Sequence, residues 1–227
     1  MKYQNVCDAV FISRLNRFIA EVEIYGRRER VHVKNTGRCR ELLTSGATVY
    51  LQEATNPNRS TQYDLIVVKK DKRLINIDAN APNVAFYEYL QSGFHIDEVT
   101  SIKPEVKYGS SRFDFYVEAR NRKIFIEVKG VTLEEDGVAM FPDAPTERGV
   151  KHLNELAQCV NDGYEAQVVF VVQMSDVLYF TPNVIMHQAF GEALVSAKNA
   201  GVCVAAFDCN VMPDSMAIDK AVEVRLF

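Results

Sequence analysis

Asp114, Glu127 and Lys129 stand at a spacing that suits metal-assisted chemistry on a phosphate. They lie in the segments Ser111-Arg112-Phe113-Asp114-Phe115-Tyr116-Val117 and Ile124-Phe125-Ile126-Glu127-Val128-Lys129. Side chains alternate along a strand. In the first segment Phe113, Phe115 and Val117 then share one face, and Arg112, Asp114 and Tyr116 the other. In the second, Ile124, Ile126 and Val128 oppose Glu127 and Lys129. A hairpin turning at Arg120-Asn121 sets Asp114 directly opposite Glu127, with Cβ atoms roughly 4.5–5.5 Å apart. Like charges facing each other destabilise a sheet, so the pair calls for a counter-ion. Mg²⁺ or Mn²⁺ on the two carboxylates, the Val128 carbonyl and water answers that need. Such an ion lowers the pKa of an attacking water and neutralises phosphoryl oxygens. Lys129, on the same face, would orient the water or offset negative charge. The plain alternative is a solvent-facing hairpin on which neither acid has a special role. A one-residue slip in register would also separate the pair.

These residues need a scaffold, and the chain has the length for one. It has 227 residues, 48% of them hydrophobic, enough for one large or two small domains. The first 80 residues read as short strands: Val10 to Ile24 as one bent strand or two, then Arg30 to Lys34, Ala47 to Gln52, Tyr63 to Lys69 and Leu74 to Ile77. Turn-rich pieces separate them, among them Asn35-Thr36-Gly37, Ser45-Gly46 and Asn56-Pro57-Asn58. About five strands in so short a span suit a small OB-like barrel, or another small β-sandwich. Asn80-Ala81-Pro82 punctuates the chain, and Asn83 to Gln91 reads as a helix. Beyond the hairpin come a helix at 145–160 with Asp143 near its cap, a buried strand at 167–173, a helix at 183–200, a strand at 202–207 and an edge strand at 221–226. That alternation predicts an α/β domain. The expected division is 1–80 for the barrel and 81–227 for the α/β domain.

Charge is divided the same way. Residues 1–80 carry 14 Lys and Arg against 9 Asp and Glu, while the remainder carries 12 against 21. The net charge of −4 hides a basic third. There Arg14, Arg17, Lys34, Arg38, Arg40 and Arg59 are interleaved with Phe11, Phe18, Tyr50 and Tyr63. Cations beside aromatic platforms are what single-strand binders use, which predicts a nucleic-acid partner. Singly, each arginine also reads as surface and each aromatic as core. No apolar run is long enough to span a membrane and no signal peptide is evident, which favours the cytoplasm. Five scattered cysteines without a C-x-x-C pair argue against a disulfide framework or a zinc site. P-loop, G-x-G-x-x-G and G-x-S-x-G patterns are absent. No sequence feature defines an oligomeric state.

On the predicted helix, Glu147, Arg148, Lys151, His152 and Glu155 share one arc, and Val150, Leu153, Ala157 and Val160 the opposite one. Periodicity alone makes the first arc a solvated face. Glu105 is a candidate third acidic ligand, or else a surface partner of Lys103 or Lys107.

The spacing Asp, twelve residues, Glu-x-Lys is similar to the core of the PD-(D/E)XK nuclease superfamily, with Phe113 where that name has Pro. More extensively, the chain resembles the sugar fermentation stimulation protein A family. The resemblance is carried by Glu105 to Asp114, by Glu127-Val128-Lys129-Gly130-Val131-Thr132-Leu133, and by Phe141-Pro142-Asp143-Ala144-Pro145-Thr146-Glu147-Arg148-Gly149. Lys151-His152-Leu153-Asn154-Glu155-Leu156, Asn35-Thr36-Gly37 and Pro82-Asn83 extend it over nearly the whole chain. His187 departs from it, standing where the family usually carries Asp. The resemblance implies an N-terminal OB-like domain, a PD-(D/E)XK-like α/β domain, DNA binding and a regulatory link to sugar (maltose) metabolism. It makes Glu147, Arg148, Lys151 and His152 candidate catalytic residues, the cations among them able to grip a scissile phosphate. It adds Glu88, on the first helix, as a candidate metal ligand, as in some relatives of this fold, and Asn35 and Arg112 as candidate nucleic-acid contacts. Two readings stay open: a Mg²⁺-dependent nuclease, and a DNA-binding regulator that keeps the nuclease fold as a platform.

Overall fold

The computed structural model describes residues 1–56 and 58–227. Position 57, the centre of the expected turn Asn56-Pro57-Asn58, lies outside the described residues. The chain opens with β1 (Val6–Arg14), β2 (Ile19–Ile24), β3 (Arg27–Val33), β4 (Thr48–Glu53), β5 (Tyr63–Lys70) and β6 (Arg73–Asn76). β1 pairs antiparallel with both β2 and β4, and β4 with β5. A parallel pairing of His32 and Val33 with Asp64 and Leu65 closes the five strands into a barrel, and β6 extends it beside β5. Alternation fills the interior: Ala20, Val22 and Ile24 from β2 meet Val31 and Val33 from β3. The stretch from Val10 to Ile24 is two strands, not one. Asn16 Oδ1 accepts the Phe18 and Ile19 N–H groups at 2.8 and 3.0 Å, turning the chain back between them.

The second unit comprises α1 (Ala81–Gln91), β7 (Val99–Tyr108), β8 (Ser111–Ala119), β9 (Arg122–Val131), β10 (Leu133–Glu135), β11 (Val138–Phe141), α2 (Glu147–Asn161), β12 (Glu165–Val172), β13 (Tyr179–Pro182), α3 (Gln188–Asn199), β14 (Cys203–Met212) and β15 (Ser215–Val222). Its main sheet runs β15-β14-β12-β9-β8-β7, with β9, β12 and β14 mutually parallel. β12 is apolar on both faces because both are covered. Val168, Phe170 and Val172 pack towards α2 and α3, while Val169 and Val171 pack towards α1.

Several boundaries differ from the sequence reading. α2 begins two residues later than expected, because Thr146 is its N-cap and accepts the Gly149 N–H at 3.0 Å. α3 begins only at Gln188, since residues 183–187 form turns around the Asn183 side chain and carbonyl. The last strand is centred earlier, at Ser215–Val222, and Val224 makes only a bridge to Phe180. The small sheet β10-β11-β13 was not expected, its strands being three to four residues long.

Buried polar contacts lock the barrel to the sheet. Glu134 receives Lys70 and Arg73, each at 3.0 Å, and the Gly137 N–H at 2.6 Å. Gln173 Nε2 donates to the Asn76 and Asp78 carbonyls at 2.9 and 3.1 Å. The N-terminus also joins the second unit, through Tyr3 N–H to Asp214 at 2.7 Å. All five cysteines are free thiols. Among the described residues no helix is long and apolar enough to cross a membrane.

Candidate metal and nucleic-acid site

The β8–β9 hairpin turns at Arg120-Asn121, and its register pairs Phe115 with Ile126 and Tyr116 with Phe125. Continued one step, that register sets Asp114 opposite Glu127. The ladder stops at Phe115, however, and the strands part there. Phe113 and Phe115 therefore do not share a face as alternation predicts. Phe113 packs with the α2 side and Phe115 with the α1 side. The Asp114 carboxylate fills the opening: Oδ2 accepts the Val128 N–H at 2.7 Å and Oδ1 accepts Asn83 Nδ2 at 2.7 Å. Carbonyl and N–H of one strand residue point to the same edge, so the Val128 carbonyl faces Asp114 too.

Glu127 is buried. Its Oε1 receives both Lys129 Nζ and His152 Nδ1 at 2.5 Å. Its Oε2 is buried with no hydrogen-bond partner among the described residues. Burial works to raise the Glu127 carboxyl, but His152 and Lys129 outweigh it and hold the group below its ordinary value. Asp114 goes the other way. Burial first, then the Glu127 charge, push it up to about 6, against the Val128 N–H, Asn83 and Lys129. Two acids in unequal surroundings, one lacking a partner on a buried oxygen, form an all-oxygen donor set suited to a hard divalent cation. Among the described residues no group of three or more His, Cys, Asp and Glu side chains is gathered as a cage. The set is thus two carboxylates with a carbonyl alongside.

The other candidates scatter. Glu88 turns away and pairs with the N-terminal ammonium of Met1 at 2.5 Å, so it does not reach Asp114. Glu105 sits on β7 in a left-handed conformation and lines a cavity with Asp114 and Asn83, yet its carboxylate is exposed, 3.9 Å from Arg112. His152 is not on a solvated face. The inward side of α2 is Gly149, His152, Leu153, Leu156 and Cys159. The helix is rotated relative to the expected arc because Gly149 lies against Phe190 of α3, where a Cβ would come within 3.1 Å of the ring. Arg148 reaches back to His152 Nε2 at 3.3 Å. Lys151 caps the Ser110 carbonyl at 3.2 Å, and Glu147 is exposed, 3.3 Å from His187.

In the barrel the basic residues divide into used and unused. Arg14 spends its guanidinium on backbone carbonyls, Lys34 pairs with Asp78 at 2.5 Å, and Arg59 forks onto Asp64 at 2.6 and 3.0 Å. Asn35 holds its own loop, donating to Ile77 and accepting from Gly37. Arg17, Arg38 and Arg40 are exposed, as is Arg112 on β8 of the second unit, beside Glu105. Asn83 was missed as a site residue. Its only signal was its place in the Pro82-Asn83 motif, which carries no hint that the helix start would meet Asp114.

Comparison with known proteins agrees with this fold. The sequence model of the SfsA N-terminal OB domain matches residues 12–77, and that of the sugar fermentation stimulation protein RE domain matches residues 80–215. The chain belongs to the sugar fermentation stimulation protein family. A sugar fermentation stimulation protein homolog of Desulfitobacterium hafniense (strain Y51) is 59% identical, over 100% of this chain and 99% of its own. One from Clostridium beijerinckii is 54% identical over the whole of both chains. The solved structure of Pyrococcus furiosus SfsA in complex with Ca²⁺ superposes with a TM-score of 0.90 at 28% identity, covering 99% of this chain and 98% of that one. The family's fold is therefore an N-terminal OB barrel followed by an α/β domain.

Proposed function

We propose that this family member binds DNA, or another nucleic acid, and hydrolyses its phosphodiester bonds at a PD-(D/E)XK-type site in residues 81–227. The observation that carries the reading is the closeness of Asp114 to Glu127, whose buried Oε2 lacks a partner among the described residues. Asp114 and Glu127, with the Val128 carbonyl, would hold Mg²⁺ or Mn²⁺. That a relative from Pyrococcus furiosus has been solved with Ca²⁺ supports a hard-cation site. The bound ion would acidify a water and polarise a phosphoryl oxygen.

The remaining work falls to side chains of this chain. Asn83 and the Val128 N–H hold the Asp114 carboxylate still. His152 orients Glu127 from behind and excludes water from that side. Lys129 is the one Lys or Arg among the described residues whose side chain bonds to the acid pair, and it would offset charge on a phosphate or hold the attacking water. Arg148, exposed beside His152, adds a second positive group on the approach.

A second reading has its own support. Lys129 already neutralises Glu127, so the fold balances its charge unaided and serves equally as a platform for a non-catalytic DNA-binding regulator of sugar metabolism. Incubation of single-stranded, duplex and branched DNA and of RNA with Mg²⁺ or Mn²⁺ separates the two. Cleavage that disappears in Asp114→Ala and Glu127→Ala supports the nuclease. Binding without cleavage on every substrate supports the regulator.

A further inference from the structure

Arg14 fastens two loops of the barrel together. Its guanidinium donates to the carbonyls of Asn16 and Arg17 after β1, at 3.2 and 2.6 Å. It also donates to Asn35, Gly37 and Arg38 after β3, each at 2.7 Å. With those backbones clamped, the side chains of Arg17, Arg38 and Arg40 project outward. Among the described residues none of the three enters an ion pair or side-chain hydrogen bond. They line a cavity of about 450 Å³. A second cavity, of about 390 Å³, runs between the barrel and the α/β domain and is walled by Thr132, Thr146 and Gly130, the residue after Lys129. The two cavities share Arg17, Thr36, Gly37 and Ala144. They are one trough, leading from three unpaired guanidinium groups to the end of the strand that carries Glu127 and Lys129. Phe18, half exposed in the same loop as Arg17, offers a ring beside the cations.

The outer face of β2 and β3, where OB folds commonly seat oligonucleotides, is built differently. Glu21 and Glu23 stand opposite Arg30 and Arg28 in register, with Arg30 3.8 Å from Glu21. His32 and Arg59 both lie on Asp64. That face balances its own charge and offers no surplus to a phosphate chain.

From these contrasts we infer that a single nucleic-acid strand lies in the trough, its phosphates on Arg17, Arg38 and Arg40, rather than on the β2–β3 face. The inference rests on the nucleic-acid reading above and adds the path to it. Cavities of this volume take one ligand-sized group at a time, which fits a strand and not a duplex.

The test is fluorescence anisotropy of the full chain with a labelled oligothymidylate in EDTA across a range of salt. Arg38→Glu/Arg40→Glu should weaken binding at least about tenfold and flatten the plot of log affinity against log salt by ~1.4, about 0.7 per lost single-strand phosphate contact. Arg28→Glu/Arg30→Glu, equal in charge change, should cost less than about threefold. All four sites are exposed, and an unchanged thermal midpoint verifies folding; Arg40→Gln alone, flattening the slope by ~0.7, repeats the test with a milder change. The reverse ranking, equal losses, or tighter binding of the matching duplex would overturn the trough and leave the nucleic-acid reading standing. A wild-type chain without salt-dependent affinity for the strand would overturn both.

Discussion

His152 Nδ1 and Glu127 Oε1 meet at 2.5 Å with both side chains buried. On the far side of the ring, Nε2 accepts Arg148 Nε at 3.3 Å. The nitrogen facing Arg148 is thus the acceptor, and the one facing Glu127 carries the proton. Helix α2 in this way fixes the orientation of an acid on strand β9, and its arginine fixes the ring.

Removing the buried imidazole takes one of its two hydrogen-bond donors from a buried carboxylate and leaves Lys129 as the other. His152→Leu should cost about 2–4 kcal/mol of unfolding free energy, more than the ring volume alone explains. The double variant His152→Leu/Glu127→Leu should cost less than the two single changes together. Urea unfolding of the four chains measures this, and strict additivity would deny the coupling.

Lys129→Met removes the ammonium from Glu127. On the proposed nuclease reading, loss of one such electrostatic donor should lower the cleavage rate about 10²–10³-fold, while Mn²⁺ binding measured by calorimetry persists. A variant that cleaves within tenfold of the parent would deprive Lys129 of its role.

The Asp114 carboxyl sits at about 6 in the folded chain, above its ordinary 3.8. Below about pH 3 the group is protonated folded and unfolded alike, and its ionisation costs nothing. As pH rises from about 4 to 6 the unfolded chain gives up the proton that the folded chain keeps, so stability falls and then levels off above 6. In EDTA, Asp114→Asn should therefore be more stable than the parent by on the order of 2–3 kcal/mol at pH 7 and indistinguishable near pH 3. Asn83 can turn its amide over to accept from the new one. Thermal melts across that range decide it; a constant difference would mean that packing, not ionisation, is responsible.

Gly130 lies where strand β9 passes between the two domains. A Cβ there would fall 2.5 Å from Gln173 Oε1 and 2.7 Å from Pro82 Cγ. Gln173 is tied to Asn76 and Asp78, so it cannot simply swing aside. Gly130→Ala should destabilise by about 1–3 kcal/mol and broaden or split the unfolding transition as the domain junction loosens. A melt unchanged in midpoint and width would show that the junction has slack.

The sequence by itself determined what depends on neighbours along the chain. The Arg120-Asn121 turn specifies the β8–β9 register as far as Phe115 and Ile126, which was legible, but not the parting of the strands at Asp114. Strand count and turn chemistry marked out the barrel, and the excess of arginine in the first 80 residues marked the basic third. Only the tertiary structure decided which charges are spent. Arg14 and Arg17 look alike in sequence, yet one is consumed by five carbonyls and the other's side chain has no partner among the described residues. Glu88 reads as a helix carboxylate near the site, but the N-terminus arrives first. His152 reads as surface, because its burial depends on how Gly149 seats α2 against α3. Periodicity encodes a local direction. A side chain's partner is set by contacts between segments far apart in sequence, and those exist only once the core has closed.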